Sequence, residues 1–191
     1  MVPGTNIAVV VASYLLGCVT AGYYLVRLTA KKDIHELGSG NVGARNVGRI
    51  LGPAGFAATF LFDFGKGIFV VWAARKLGLN PYWLFAAFMA VIIGHMWPLQ
   101  LRFRGGRGFA TAVGVMLMLN PLIWFFAFIP FLCLFFVFRS FTISALAAFV
   151  VTPFTLYFFN QPAIEMVGVA AISAVLIYSH RENLAERVMK L

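Results

Sequence analysis

Long apolar runs alternate with short polar stretches along this chain. Seven runs stand out, at residues 7–28, 51–74, 81–101, 109–119, 121–138, 141–159 and 163–179. About 20 residues at 1.5 Å rise cross a hydrocarbon layer of about 30 Å, so runs of this length predict transmembrane helices. The fourth is short for a crossing and must tilt little, thin the bilayer or begin inside a polar pocket. A five- or six-span count is the alternative, if the fourth and fifth runs form a re-entrant pair. The predicted fold class is all-α: a polytopic membrane protein with seven transmembrane helices and one integral-membrane domain over residues 1–191.

Composition excludes a soluble fold of this size. The chain is 62% apolar and 11% charged, against about half and about a quarter in soluble domains. Basic residues then set the orientation. Arg27, Lys31, Lys32, Arg45, Arg49, Arg102, Arg104, Arg107, Arg139, Arg181, Arg187 and Lys190 fall on one side of the seven spans, and only Arg75 and Lys76 on the other. Positively charged loops stay cytoplasmic, so the N-terminus is expected outside and the C-terminus in the cytoplasm. The net charge of +9 does not indicate nucleic acid, because the charges sit in short juxtamembrane loops where they control topology and attract anionic headgroups. Cys18 and Cys133 fall within spans and read as packing residues. Leu15-Leu16-Gly17-Cys18 resembles a lipoprotein cleavage box, but no basic stretch precedes it, so an uncleaved span is expected.

Three polar segments fall on the predicted cytoplasmic side. The first, residues 29–50, holds Gly38-Ser39-Gly40-Asn41-Val42-Gly43-Ala44-Arg45-Asn46-Val47-Gly48-Arg49. Glycines let backbone amides approach a ligand, and arginine grips phosphate through two parallel hydrogen bonds. The pattern G-x-G-x-x-G here is no dinucleotide fingerprint, since no strand precedes it; a phosphate-binding nest fits better. The bland alternative is a flexible connector, which would not need Asn41, Asn46 and Arg49. The second segment is Gly94-His95-Met96-Trp97-Pro98 followed by Arg102-Phe103-Arg104-Gly105-Gly106-Arg107-Gly108. The third is Tyr178-Ser179-His180-Arg181-Glu182-Asn183, where a continuing helix would put His180 and Asn183 on one face. Asp63 and Lys66, one turn apart within the second run, are expected to form an ion pair facing the bundle interior. No His-x4-Asp dyad, zinc-protease signature, Walker A lysine or G-x-S-x-G elbow is present.

Together these segments resemble the bacterial acyl-phosphate:glycerol-3-phosphate acyltransferases, the PlsY family. Ser39 through Arg49 is similar to that family's S-G-N-x-G-A-T-N-x-x-R. Gly94-His95-Met96-Trp97-Pro98, then Phe103-Arg104-Gly105-Gly106-Arg107-Gly108, is similar to G-H-x-x-P and F-K-G-G-K-G. His180-Arg181-Glu182-Asn183 with Arg187 is similar to H-R-x-N-x-x-R. Arg45 stands where the family usually has Thr, and Arg104 and Arg107 where it usually has Lys. The resemblance implies a multi-pass enzyme of the bacterial inner membrane with its active site facing the cytoplasm. It would move a fatty acyl group from acyl phosphate to the 1-hydroxyl of glycerol 3-phosphate, giving lysophosphatidate and inorganic phosphate for phospholipid synthesis. It implies no cofactor and no metal. Its partners would be glycerol 3-phosphate, acyl phosphate and membrane lipid, with functional coupling to an enzyme that forms acyl phosphate. Carried over by position, Ser39, His180 and Asn183 would be catalytic, and Asn41, Asn46, Arg49, Gly105, Gly106 and Arg107 would bind substrate. A membrane carrier for an organic phosphate is the rival reading, but paired half-sequences are not seen.

Overall fold

The computed structural model describes the backbone of residues 3–188 and the side chains of residues 4–181. Every regular element among the described residues is helical: α1 (Pro3–Cys18), α2 (Ala21–Thr29), α3 (Ala44–Lys76), α4 (Pro81–Met96), α5 (Phe109–Leu119), α6 (Pro121–Phe138), α7 (Phe141–Phe158) and α8 (Ala163–Val188). Short 3-10 turns lie at Ile34–Glu36 and Leu99–Leu101. Six stretches are long and apolar enough to cross a bilayer: Gly4–Thr29, Ala44–Lys76, Pro81–Leu101, Pro121–Phe138, Phe141–Phe158 and Ala163–Arg181. The fourth of the seven expected spans forms α5, whose 11 residues reach only about 16 Å. α8 extends well past the end of its apolar run, as the tail pattern predicts.

Three boundaries differ from the expectation, each for a local reason. The first run breaks at Val19 and Thr20, between α1 and α2. The second begins earlier than predicted: residues 44–51 are already helical, so Asn46 and Arg49 sit on a helix and not in a loop. Gly52, at φ 75°, interrupts α3 there, and Pro53 restarts it, a position where proline's missing N–H costs nothing. α4 stops at Met96 because Pro98 cannot continue it.

The chain forms two compact units, Met1–Val115 and Met116–Leu191. In the first, α1 packs on α4, α2 on α3, and α3 on α4. Glycines permit the close crossings. A Cβ on Gly94 would meet the Tyr14 carbonyl, one on Gly17 the Val91 carbonyl, and one on Gly67 the Thr111 carbonyl. Small residues at such crossings are how membrane helices gain packing contacts when lipid is as apolar as the side chains. In the second unit α7 packs on both α6 and α8, and the Ser173 hydroxyl bridges helices by donating to the Phe149 carbonyl at 2.7 Å.

Candidate functional site

The first glycine segment folds around one buried amide. α2 ends at Thr29, and Asp33 caps the turn Ile34–Glu36 by accepting from the His35 N–H at 2.9 Å. Ile34, Val26, Val42, Val47 and Leu101 form a small buried apolar cluster under the turn. Gly38 and Gly40 then take φ of 60° and 68°, the left-handed region that glycine enters without strain. The chain curls over Asn46, which is 2% exposed. Its Oδ1 accepts from the Ser39 N–H at 2.9 Å, and its Nδ2 donates to the Leu37 and Asn41 carbonyls, each at 2.9 Å. Any Cβ on Gly38 would collide with that Oδ1. Asn41 Oδ1 accepts from the Gly43 N–H at 2.8 Å, just before α3 begins. Ser39, Arg45 and Arg49 are exposed at the rim, with Arg45 and Arg49 one turn apart on α3.

The second glycine segment hangs from the end of α4. The Gly105 N–H donates to the Met96 carbonyl at 3.1 Å and the Gly106 N–H to the His95 carbonyl at 2.9 Å. A Cβ on Gly105 would meet the His95 carbonyl, and one on Gly106 the His95 ring, so glycine alone fits at both. The Gly105 and Gly106 amides and the Asn46 side chain, expected to bind substrate, are thus hydrogen-bonded within the chain, where they shape the two segments. Arg107 follows, half-buried.

One histidine ties the two segments together. His35 Nδ1 lies at hydrogen-bond distance from Asp33 Oδ1, 2.8 Å, and His35 Nε2 at hydrogen-bond distance from the Arg104 carbonyl oxygen, 2.7 Å. The His35 N–H on the Asp33 carboxylate, and then the ring beside it, hold that carboxyl below its ordinary value of 3.8. The sequence reading passed over His35, although Asp33-Ile34-His35 directly precedes the glycines. The first unit therefore holds Ser39 and Arg107 on two joined loops, with Arg45 and Arg49 on the first turns of α3 directly after the first loop.

A charged network lies within the same unit. Lys66 Nζ is 2.9 Å from Asp63 Oδ1, and donates to His95 Nδ1 at 2.9 Å and to the Gly17 and Val19 carbonyls, each at 3.0 Å. The expected Asp63–Lys66 pair forms, with His95 as a third member from α4. Lys66 also caps the carbonyls exposed by the break between α1 and α2. Gln100 Nε2 donates to the Cys18 carbonyl at the same break, and the Tyr14 hydroxyl donates to the Trp97 carbonyl at 2.9 Å.

In the second unit, His180 is 7% exposed on α8. Its Nδ1–H donates to the Leu176 carbonyl at 2.8 Å, with the Ser179 hydroxyl 3.0 Å away. In the neutral ring this places the lone pair on Nε2, the form a general base needs. Arg181 stacks its guanidinium 4.3 Å from the Tyr178 ring centroid. Asn183 and Arg187 lie on α8, but their side chains fall outside the described residues.

All-helical among the described residues, with six candidate spans, this chain has the architecture of an integral membrane protein, and it carries two basic glycine segments in one unit. The comparisons with known proteins are specific. The family model described as glycerol-3-phosphate acyltransferase matches residues 7–190. Glycerol-3-phosphate acyltransferase 1 of Desulfitobacterium hafniense is 35% identical over 97% of this chain and 92% of that protein. The glycerol-3-phosphate acyltransferase of Synechococcus elongatus is 37% identical over 93% of this chain and 89% of its own. Crystal structures of PlsY, an integral membrane glycerol 3-phosphate acyltransferase, align in a glycerol 3-phosphate form with a TM-score of 0.87 and in a lysophosphatidic acid form with 0.85, each at 32% identity over 97% of this chain and 93% of the other. This chain belongs to the glycerol-3-phosphate acyltransferase family, and within it to the PlsY family.

Proposed function

We propose that this protein transfers a fatty acyl group from acyl phosphate to the 1-hydroxyl of glycerol 3-phosphate, releasing lysophosphatidate and inorganic phosphate. The observation that carries the reading is the joining of two basic glycine segments in one unit, Ser39 to Arg49 and Gly105 to Arg107, through the His35–Arg104 hydrogen bond of 2.7 Å. An acyl phosphate is a mixed anhydride and is already activated. The enzyme's task is to hold two mutually repelling anions in attack geometry, and orientation alone supplies up to about 7–11 kcal/mol in ideal cases. Arg49 and Arg107 are assigned to the glycerol 3-phosphate phosphate, aided by the Ser39 hydroxyl and the first amides of α3, where a helix N-terminus favours an anion. Asn41 is assigned beside them, its carbonyl oxygen already turned to Gly43.

His180 and Asn183 take their assignment from the tail motif: the acyl phosphate, or the proton of the reacting hydroxyl. Attack by that hydroxyl on the acyl carbon forms the ester bond and breaks the carbon–oxygen bond to phosphate, which leaves as inorganic phosphate. The hydroxyl proton passes to His180 Nε2 or to a phosphate oxygen. The enzyme is assigned to the bacterial inner membrane, with seven helices across it, the N-terminus outside and the loops and C-terminus in the cytoplasm, as the basic residues require. Its acyl phosphate would come from a separate acyl-phosphate-forming enzyme.

Purified protein incubated with labelled glycerol 3-phosphate and palmitoyl phosphate, with acyl-CoA in parallel, tests the reading. Lysophosphatidate formed with phosphate release from the acyl phosphate arm alone is the expected result. Transfer from acyl-CoA alone overturns the donor assignment, and solute movement into sealed vesicles without chemistry favours the carrier.

A further inference from the structure

The second glycine segment rests on one residue of α4. The Gly106 N–H donates to the His95 carbonyl at 2.9 Å, and the Gly105 N–H to the adjoining Met96 carbonyl at 3.1 Å. The atoms that a Cβ on Gly106 would meet first are Nε2, Cε1 and Cδ2 of the His95 ring. Gly106 is not among the residues of positive φ, so the ring and not the backbone excludes a side chain there. His95 thus meets the segment twice. Its carbonyl takes the Gly106 amide, and its ring edge fills the place where a Gly106 side chain would stand.

The far nitrogen of that ring is anchored in the bundle. Nδ1 lies 2.9 Å from Lys66 Nζ and 3.4 Å from Asp63 Oδ1, and all three side chains are only 2–3% exposed. Whichever of the two it bonds, the ring is held at Nδ1, so its placement does not depend on where its proton lies. Lys66 is itself fixed by Asp63 at 2.9 Å and by the Gly17 and Val19 carbonyls, each at 3.0 Å. The end of α1, the middle of α3 and the end of α4 therefore converge on one imidazole, which close packing leaves little room to turn.

Arg107 is the next residue along. We propose that His95 is a positioning residue for the glycerol 3-phosphate site: its ring, footed on Lys66 and Asp63, is the seat that fixes Gly105 and Gly106 and through them the place of Arg107. The inference rests on the functional reading above, which assigns Arg107 to the substrate phosphate. A binding group must be held to within about 0.5 Å, and a misplacement of about 1 Å caused far from the chemistry can cost about a hundredfold. His95 acts through the segment alone. It is 3% exposed and lies behind Gly106, out of contact with substrate.

The test uses the full chain in lipid nanodiscs, with equilibrium binding of radiolabelled glycerol 3-phosphate and initial rates of acyl transfer measured side by side. His95→Asn keeps an acceptor for Lys66 and removes the ring edge. Its thermal unfolding is expected to stay close to wild type, while Kd and KM for glycerol 3-phosphate rise about 10–100-fold and kcat falls by less than about threefold. Leu156→Ala opens a cavity at a fully buried position of α7 in the second unit. It is expected to unfold at lower temperature and to keep Kd within about twofold of wild type. A His95→Asn protein that binds as wild type overturns the proposal. So does a Leu156→Ala protein whose Kd rises as far, because loss of stability then suffices.

A size swap reads the contact itself. Gly106→Ala drives a Cβ into the ring and is expected to raise Kd at least as far as His95→Asn does. His95→Ala clears that space, so His95→Ala/Gly106→Ala is expected to bind more tightly than Gly106→Ala, a coupling that residues out of contact do not show. A double variant that binds no better than Gly106→Ala sinks the seat even if acyl transfer is observed. The expected order of Kd with acyl transfer from no donor sinks the functional reading instead and leaves the seat standing. Wild-type protein that does not bind glycerol 3-phosphate overturns both.

Discussion

The Lys66 ammonium lies 2.9 Å from the Asp63 carboxylate, with both side chains 2% exposed, and it also donates to the Gly17 and Val19 carbonyls at the break between α1 and α2. Removing one partner of a buried pair leaves an uncompensated charge and costs about 3–5 kcal/mol. Asp63→Asn and Lys66→Met are each expected to destabilise by that amount, read as loss of monodisperse protein on heating in detergent. For a simple pair, the double variant would regain most of the loss. Here the two carbonyls still lose their donor, at about 1–3 kcal/mol for each buried group left unsatisfied. Asp63→Asn/Lys66→Met therefore stays below wild type; full recovery would show that the lysine serves the carboxylate alone.

Gly94 and Gly65 should respond to alanine in opposite directions. A Cβ at Gly94 would meet the Tyr14 carbonyl and come within 3.1 Å of the Cys18 amide nitrogen, both backbone atoms of α1 that cannot swing away, whereas at Gly65 nothing lies within 4 Å. Gly94→Ala is expected to cost about 1–3 kcal/mol as overpacking. Gly65→Ala is expected to gain up to about 1 kcal/mol from helix propensity. Thermal unfolding of the two proteins in one detergent decides it; a destabilised Gly65→Ala would reveal a contact absent from this structure.

Runs of apolar residues gave away α4, α6 and α7 because each buries or exposes greasy surface along most of its length. The Asp63–Lys66 pair was also legible, since two charges one turn apart inside an apolar run have few other options. The breaks were not. Val19 and Thr20 are ordinary span residues, and the interruption there is made tolerable by Lys66 and Gln100, which arrive from distant parts of the chain. The internal hydrogen bonds of Asn46, Gly105 and Gly106 were not legible either, because their partners are set by chain reversal and not by neighbours in sequence. His35 went unnoticed for the same reason: its second partner is Arg104, across two helices.

Asn46→Ala separates a staple from a ligand contact. The substitution removes the acceptor for the Ser39 N–H and the donor to the Leu37 and Asn41 carbonyls. It is expected to cost about 1–3 kcal/mol of stability, since buried backbone groups lose their partners, and to raise KM for glycerol 3-phosphate together with it. A residue that merely touched substrate would raise KM with thermal stability unchanged. That second pattern would return Asn46 to the role its motif implies.

Arg49 and His180 are assigned different jobs, so their losses should appear in different constants. Arg49 is exposed on α3, and losing a two-pronged phosphate contact is expected to raise KM for glycerol 3-phosphate by about 10–150-fold in Arg49→Ala. Arg49→Lys keeps the charge but not the fork and recovers only part. His180→Ala is expected to lower kcat by about 10²–10⁴-fold, the range of general acid–base catalysis, with KM for glycerol 3-phosphate nearly unchanged. Initial rates with each substrate varied in turn distinguish these patterns, and normal turnover in purified Arg49→Ala refutes the phosphate assignment.

Asp33 gives the fold an acid limit of predictable sign. The His35 N–H and then the His35 ring hold its carboxyl below the ordinary value of 3.8. A carboxyl with a depressed folded value binds protons more readily when unfolded, so its contribution to stability is full above the unfolded value of 3.8 and is lost as the pH falls through the lower folded value. Asp33→Asn takes no proton in that window and should unfold with a flatter pH dependence on the acid side. The effect is modest, because the Asp33 side chain is 38% exposed and water screens it.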